Sequence, residues 1–227
     1  MTSIRGTRQS GLSLIELMVA MTLGLVITSS LGYIMLGSRS TYRTQDASAR
    51  VQDTGRFAIE YIARELRAAG RTGDVSKLVW GNKADLDEDG IDGYSGNVDL
   101  AGDSDDITVR YQNNDNEIVT NQICFDSTGH ELENRCGAAG GNQPFAEGVQ
   151  SVRFRYMAAD GSWGNAAAAN TIAVEACVMV RSQESGVLST KQKMLDCSGN
   201  EVTQEDTRLY RVFRTVVALR NRINALP

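Results

Sequence analysis

One histidine, two prolines and four cysteines are all that the chain holds of the residues that most often build metal centres, catalytic dyads and stiff linkers. The histidine, His130, stands in Asp126-Ser127-Thr128-Gly129-His130 and reads as a surface side chain rather than a general base. There is no nucleophile elbow, no phosphate-cradling glycine loop ahead of a helix and no pair of metal ligands at helical spacing. With no C-x-x-C and a lone histidine, zinc is a poor match as well. The sequence therefore points away from an enzyme. The prolines, Pro144 and Pro227, form no Pro-rich linker, and no internal repeat is present. The Ala166–Ala169 tract and Gly140-Gly141 read as loop.

Basic charge is also short. Lys and Arg number 23 against 28 Asp and Glu, a formal net charge of −5. Without Arg5 and Arg8 the balance falls further, to 21 basic residues against 28 acidic ones. Direct nucleic-acid binding needs cations placed on phosphates, and the balance argues against it. The one arginine-rich stretch, Arg208, Arg211, Arg214, Arg220 and Arg222, is better explained by packing or ion pairing within a sheet.

The third absence carries the most information. Between Glu16 and Arg39 no charged residue occurs, and Leu17–Leu36 is an apolar run of about the 20 residues a helix needs to cross a bilayer. Arg5 and Arg8 ahead of it favour a cytoplasmic N-terminus with the rest exported. Thr22, Gly24, Thr28, Ser29, Ser30 and Gly32 make the run less greasy than a permanent anchor. Small residues let helices approach closely, which suits either simple dimerisation or transfer from lipid into a helical bundle. Glu16 is out of place in such a segment, since a carboxylate near a bilayer interior costs roughly 2.5–3.5 kcal/mol on insertion scales unless it finds a partner.

The leader Met1–Gly11 is short, has no acid and has no apolar core of its own. An ordinary secretory signal keeps its hydrophobic stretch on the discarded side. Here Gly11-Leu12-Ser13-Leu14-Ile15-Glu16 puts the natural cut before that stretch. This arrangement resembles the class III signal of type IV pilins and their relatives. The resemblance implies cleavage by a prepilin peptidase between Gly11 and Leu12, methylation of Leu12 as the new first residue, and an assembly contact at Glu16. In that family the acid pairs with the α-amino group of a neighbouring subunit and fixes the register of the fibre.

Helical patterning continues past the apolar run. Val51, Ala58, Ile62, Leu66 and Ala69 share a stripe, with Ile59 beside it, at spacings of three, four and seven. Asp46 with Arg50 and Glu60 with Arg64 stand four apart in the favourable acid-first order, and Gly70 and Gly73 end the pattern. One long helix is expected from about Ser13 to Ala69, softened at Gly55. Beyond Gly73, short runs alternate with period two: Ile107–Tyr111, Val119–Phe125, Val152 to Tyr156, Ile172 to Val180, and Leu209–Leu219. They predict an antiparallel sheet with one wet face. The last strand, apolar on both sides, is expected deep in the sheet, with Arg220-Asn221-Arg222 frayed. The fold class is therefore α+β. The segments are a leader (1–11), a membrane-spanning helix (12–36), its continuation packing on the domain (37–70) and one β-rich globular domain (71–227), large enough to bury a core.

Further motifs lie along this frame in a set order. They are Tyr42-Arg43, Gly55-Arg56-Phe57-Ala58, Ala63-Arg64-Glu65-Leu66-Arg67-Ala68-Ala69-Gly70, Ser104 to Tyr111, and the ending Thr215-Val216-Val217-Ala218-Leu219-Arg220-Asn221. Together they resemble PilW-type minor pilins. The resemblance implies a subunit of a type IV pilus that primes fibre assembly and joins the tip complex. Its implied partners are other minor pilins, the major pilin, a tip adhesin, the prepilin peptidase and the inner-membrane assembly platform, with membrane lipid around it before assembly. The implied location is the inner membrane, with a periplasmic domain, and then the fibre. The helix-end motif Arg67-Ala68-Ala69-Gly70 is shared with J-type minor pseudopilins of type II secretion, which remain the alternative.

Four cysteines allow three pairings that sequence does not rank. Cys124–Cys136 with Cys177–Cys197 would staple two local loops in an oxidising compartment. Cys124 and Cys177, both on the less apolar face of their strands, could equally pair with each other. The remaining constellation is Asp85-Leu86-Asp87-Glu88-Asp89-Gly90-Ile91-Asp92-Gly93. Asp85, Asp87 and Asp89 followed by glycine match the first half of a calcium loop, and Asp92 or Asp99 could close it. Gly96 stands where the bidentate glutamate of that template belongs, and a solvated acidic loop is the competing reading. No cofactor other than this possible Ca2+ is indicated.

Overall fold

The computed structural model describes residues 13–70, 79–81, 106–112, 117–134, 143–165 and 170–223. Helix α1 runs from Leu14 to Ala68. It is opened by Ser13, whose carbonyl accepts from the N–H groups of Glu16 and Leu17 at 3.0 and 3.1 Å. It closes where Ala69 donates to the Glu65 carbonyl and Gly70 turns left-handed at φ 74°, a conformation that glycine adopts without penalty. By contacts within the chain, residues 1–45 and 46–227 form separate units.

In the first unit, the helix hydroxyls turn back on their own backbone. Thr22 donates to Val19 O at 2.9 Å, Thr28 to Gly24 O at 2.6 Å and Ser30 to Val26 O at 2.8 Å. The large apolar side chains from Leu14 to Leu36 are exposed throughout.

In the second unit, five antiparallel strands form a meander in chain order: β1 (Val79–Gly81), β2 (Ile107–Gln112), β3 (Ile118–Asp126), β4 (Glu131–Asn134) and β5 (Gln143–Glu147). A second sheet has the order β11 (Tyr210–Ala218), β8 (Thr171–Arg181), β6 (Val149–Ala158) and β7 (Trp163–Gly164). The hairpin β9 (Lys193–Leu195) and β10 (Glu201–Thr203) stands apart, and a short helix α2 (Arg220–Ile223) ends the described chain. Gly148 joins the sheets between β5 and β6 at φ 74°, with its carbonyl accepting from Arg181 N at 2.7 Å. A Cβ there would stand 2.8 Å from the Arg181 carbonyl oxygen, so both the turn and the close approach require glycine.

The core lies among α1 and the two sheets. Val51, Ala58, Ile62, Leu66 and Ala69 are at most 3% exposed and belong to one buried cluster with Ile107, Val109, Ile123 and Leu132 of the meander and Val152, Phe154, Val174 and Val178 of the second sheet. One polar seam crosses the junction. Glu65 is buried, accepts from Asn121 Nδ2 at 3.0 Å and stands 3.7 Å from Arg64. Beside it, Asn134 Nδ2 donates to the Tyr61 hydroxyl at 2.6 Å. Tyr61 also stacks on Phe145 at 4.3 Å, with Arg64 over its other side.

Several expectations need correcting. β11 is an edge strand rather than a deep one, because its partner β8 is the long strand that is buried along nearly its whole length. Apolar residues on both faces of β11 arise because one face meets α1 and the other meets a second small cluster. Arg220-Asn221-Arg222 opens α2 instead of fraying, tied down by Asn221 Nδ2 donating to Ala69 O at 2.8 Å. Gly55 does not soften the helix; it lies under Phe213, where a Cβ would collide with the ring. The outer face of the second sheet is only partly wet, since Cys177, Met179, Cys197 and Tyr210 form a buried cluster there. Arg64 turns to Glu65 and Tyr61 rather than to Glu60, whereas Arg50 does pair with Asp46 at 3.1 Å.

Candidate assembly site

Glu16 is exposed on the first turn of α1 and is the only charge on the helix before Arg39. Among the described residues its carboxylate has no hydrogen-bond or ion-pair partner. The helix it opens is long and apolar enough to cross a membrane, and its apolar window is not buried in the rest of the chain. A carboxylate followed by an unburied apolar surface of this length is stable only where lipid or other protein covers the surface and a cation meets the acid. Gly11 and Leu12, the expected cleavage and methylation positions, lie outside the described residues.

The staple of the β-rich domain is a Cys177–Cys197 disulfide with Cα atoms 5.7 Å apart. It ties the β9–β10 hairpin to the outer face of β8. Arg214 supports it by donating to Asp196 O at 2.6 Å, and Arg153 donates to Ser198 Oγ. Asp196 closes the turn between the hairpin strands, accepting from Ser198 N and Asn200 N at 2.8 Å each. Cys124 is disulfide-bonded too; its expected partner, Cys136, lies outside the described residues. Three arginines of the arginine-rich stretch have partners within the domain. Arg208 bonds Asp206 at 2.9 Å, Arg211 reaches Ser48 Oγ at 3.2 Å, and Arg214 shares Glu175 with Arg155.

The candidate calcium ligands Asp85, Asp87, Asp89 and Asp92 all lie outside the described residues, as does Asp99. A different acidic group is visible at the β3–β4 turn: Asp126, Glu131 and Glu133 bring carboxylate oxygens within 4.8 Å of one another. Sequence reading missed it, because the three come together only once the turn pairs β3 with β4. Their all-oxygen donor set is the kind that hard cations accept. The same turn holds His130 at φ 55°, with its carbonyl accepting from Val149 N at 2.8 Å. Burial, reinforced by the charge of Arg181, holds the imidazole below its ordinary value. Asp106 is raised by burial, with Gln122 Nε2 donating to it at 3.4 Å.

Comparison with known proteins bears on both ends of the chain. Residues 6–32 match the prokaryotic N-terminal methylation motif. Residues 127–221, from the β3–β4 turn through β11 into α2, match the family described as type IV pilus-assembly protein W. The chain is thus type IV pilin-like in its N-terminal motif and its fold, and its residues 127–221 are similar to the PilW family. Among solved structures, a type IV-like pilin from Thermus thermophilus shares the fold, with a TM-score of 0.51 at 15% identity over 76% of this chain and 98% of that one. No curated protein matches the chain in sequence.

The α+β architecture of the chain is the pilin-like one, a long N-terminal helix with antiparallel sheets. The methylation motif and the apolar helix fit a membrane anchor that carries a soluble C-terminal domain. The matched C-terminal segment contains the disulfide, the whole second sheet and the edge strand β11.

Proposed function

We propose that this PilW-type minor pilin primes the assembly of a type IV pilus and remains in its tip complex. The observation that carries the reading is Glu16, a carboxylate with no partner among the described residues, heading a helical surface uncharged as far as Arg39. In the proposed sequence, the helix first sits in the inner membrane with the β-rich domain in the periplasm. Cleavage after Gly11 frees the Leu12 amine, which is then methylated. Opposite charges attract strongly in a low-dielectric setting, although desolvation takes back much of the gain. Glu16 and the amine of an adjacent subunit therefore act mainly to set register, while the bulk of the binding comes from covering Leu17–Leu36. The assembly platform, the other minor pilins, the major pilin and a tip adhesin are the proposed partners.

The test is purification of the mature chain from native membranes, with mass spectrometry of its N-terminus and of its partners. An N-methylated Leu12 together with minor pilins and a tip adhesin is the expected result. The same N-terminus with pseudopilins of a secretion system would assign the chain to that machine instead. An uncut Met1 would remove the assembly mechanism altogether.

A further inference from the structure

The sheet edges of this domain are not alike. β7 has two residues and β1 three, both too short to template a partner. β5 carries Pro144 and pairs with β4 through a register shift, two devices that blunt an edge. β11 has neither: it runs nine residues against β8 without proline and without a register shift.

The direction of its backbone groups follows from the bonds at its ends. Ser182 N donates to Leu209 O, and Leu219 N donates to Ile172 O, both at 2.8 Å, so odd-numbered residues face β8. Even-numbered residues then face away, and Tyr210 demonstrates it. Its N–H donates to Gln192 Oε1 and its carbonyl accepts from Gln192 Nε2, each at 2.9 Å. A side-chain amide thus stands in for the first residue of a missing neighbouring strand. Beyond it, the outward N–H and C=O groups of Val212, Arg214, Val216 and Ala218 have no partner among the described residues. Val216 is 58% exposed.

We propose that the β11 edge from Val212 to Ala218 receives an extended, acid-bearing segment of a different pilin chain, added as a further strand of the second sheet. Backbone bonds supply the affinity in this mode, and alternate side chains supply the selectivity. The charge of the edge selects the occupant. β11 carries Arg211 and Arg214 and no acid, and the neighbouring Glu175 is already shared by Arg155 and Arg214. A second copy of β11 would bring four arginines to one seam, whereas an acidic strand would relieve the excess. The proposal rests on the minor-pilin reading and names the surface through which it would act.

The test uses the full processed chain in its native membrane, with a photo-crosslinking residue at Ala218 and a control crosslinker at Leu195, which is exposed on the β9–β10 hairpin. The expected product is a second pilin, captured from position 218 and not from 195, through a peptide that contains Asp or Glu. Val216→Pro removes one outward N–H and no bond to β8. It should melt within a few degrees of the parent and lower the crosslink yield at least tenfold. Should the proline variant fail to fold, Val216→Glu, which alters no backbone bond but sets an acid against the incoming acids, gives the same decision. An undiminished yield, or a captured peptide from a second copy of this chain, overturns the proposal. Pilins that copurify without any crosslink at 218 sink the edge alone. Absence of pilins from the membrane preparation sinks the minor-pilin reading with it.

Discussion

The ring of Phe213 occupies the space in which a side chain on Gly55 would begin. The contact fixes β11 against the second half of α1 and explains a glycine in mid-helix, where it would otherwise weaken the helix. Gly55→Ala gains about 1 kcal/mol of helix propensity but forces an overlap of the kind that costs about 1–3 kcal/mol. We expect a net loss, read as a melting temperature lower by a few degrees. Adding Phe213→Val should return part of it, so a double-mutant cycle should show coupling between the two positions; additive effects would contradict the packing account.

Reduction of Cys177–Cys197, or its replacement by serines, should release the β9–β10 hairpin from β8. The bridge closes a span of 20 residues, for which loop entropy alone gives about 3 kcal/mol. Hydrogen exchange across 193–203 should rise well before that across β6 and β8. Uniform exchange in both regions would mean that the hairpin is held by Arg214, Arg153 and Gln192 without help from the bridge.

The buried carboxylate of Glu65 depends on Asn121. Asn121→Leu removes the donor and leaves the acid with Arg64 at 3.7 Å as its remaining partner. Loss of a partner from a buried polar group costs roughly 1–3 kcal/mol. Denaturant unfolding should show a lower midpoint for the variant, and an unchanged midpoint would remove this hydrogen bond from the account of the junction.

His130 is the only histidine, so its imidazole can be followed without ambiguity by NMR. Burial and Arg181 depress its folded pKa below the ordinary 6.5. The unfolded chain then takes up the proton first as pH falls, so this residue's contribution to stability is intact above about pH 7 and is lost through the acid side of that value. The midpoint of the folded protein should lie below that of a denatured control, and His130→Gln should flatten this part of the pH–stability curve. A midpoint above the control would reverse the sign.

Glu16→Ala should leave processing at Gly11 untouched while reducing incorporation into fibres severalfold. Quantifying mature subunit in sheared fibres against mature subunit in membranes gives the ratio directly. Equal ratios for variant and parent would remove Glu16 from the mechanism.

What was legible in the sequence tracks the strength of periodicity. α1 could be read because its stripe persists for many turns, and the strands β2, β3, β6, β8 and β11 because each alternates for five residues or more. β4, β7, β9 and β10 have two to four residues, too few for a period to show, and β5 hides behind Pro144. The position of β11 was misread because burial on both faces was taken for a central strand. A helix on one side and a stapled hairpin on the other produce the same pattern at an edge. The N-terminal motif was legible in full because it is a matter of residue order, whereas the Asp126, Glu131 and Glu133 group exists only through pairing across a turn.

The hydroxyls of Thr22, Thr28 and Ser30, each bonded to a carbonyl of its own helix, leave the first part of α1 with polar groups that ask nothing of their surroundings. To such a helix, lipid tails and the flanks of neighbouring helices are nearly equivalent solvents. Passage from one to the other then carries little free energy along most of its length, and the difference concentrates at the single carboxylate of Glu16. On the proposed mechanism, a subunit built this way is drawn out of a bilayer with one ionic contact deciding which state it keeps.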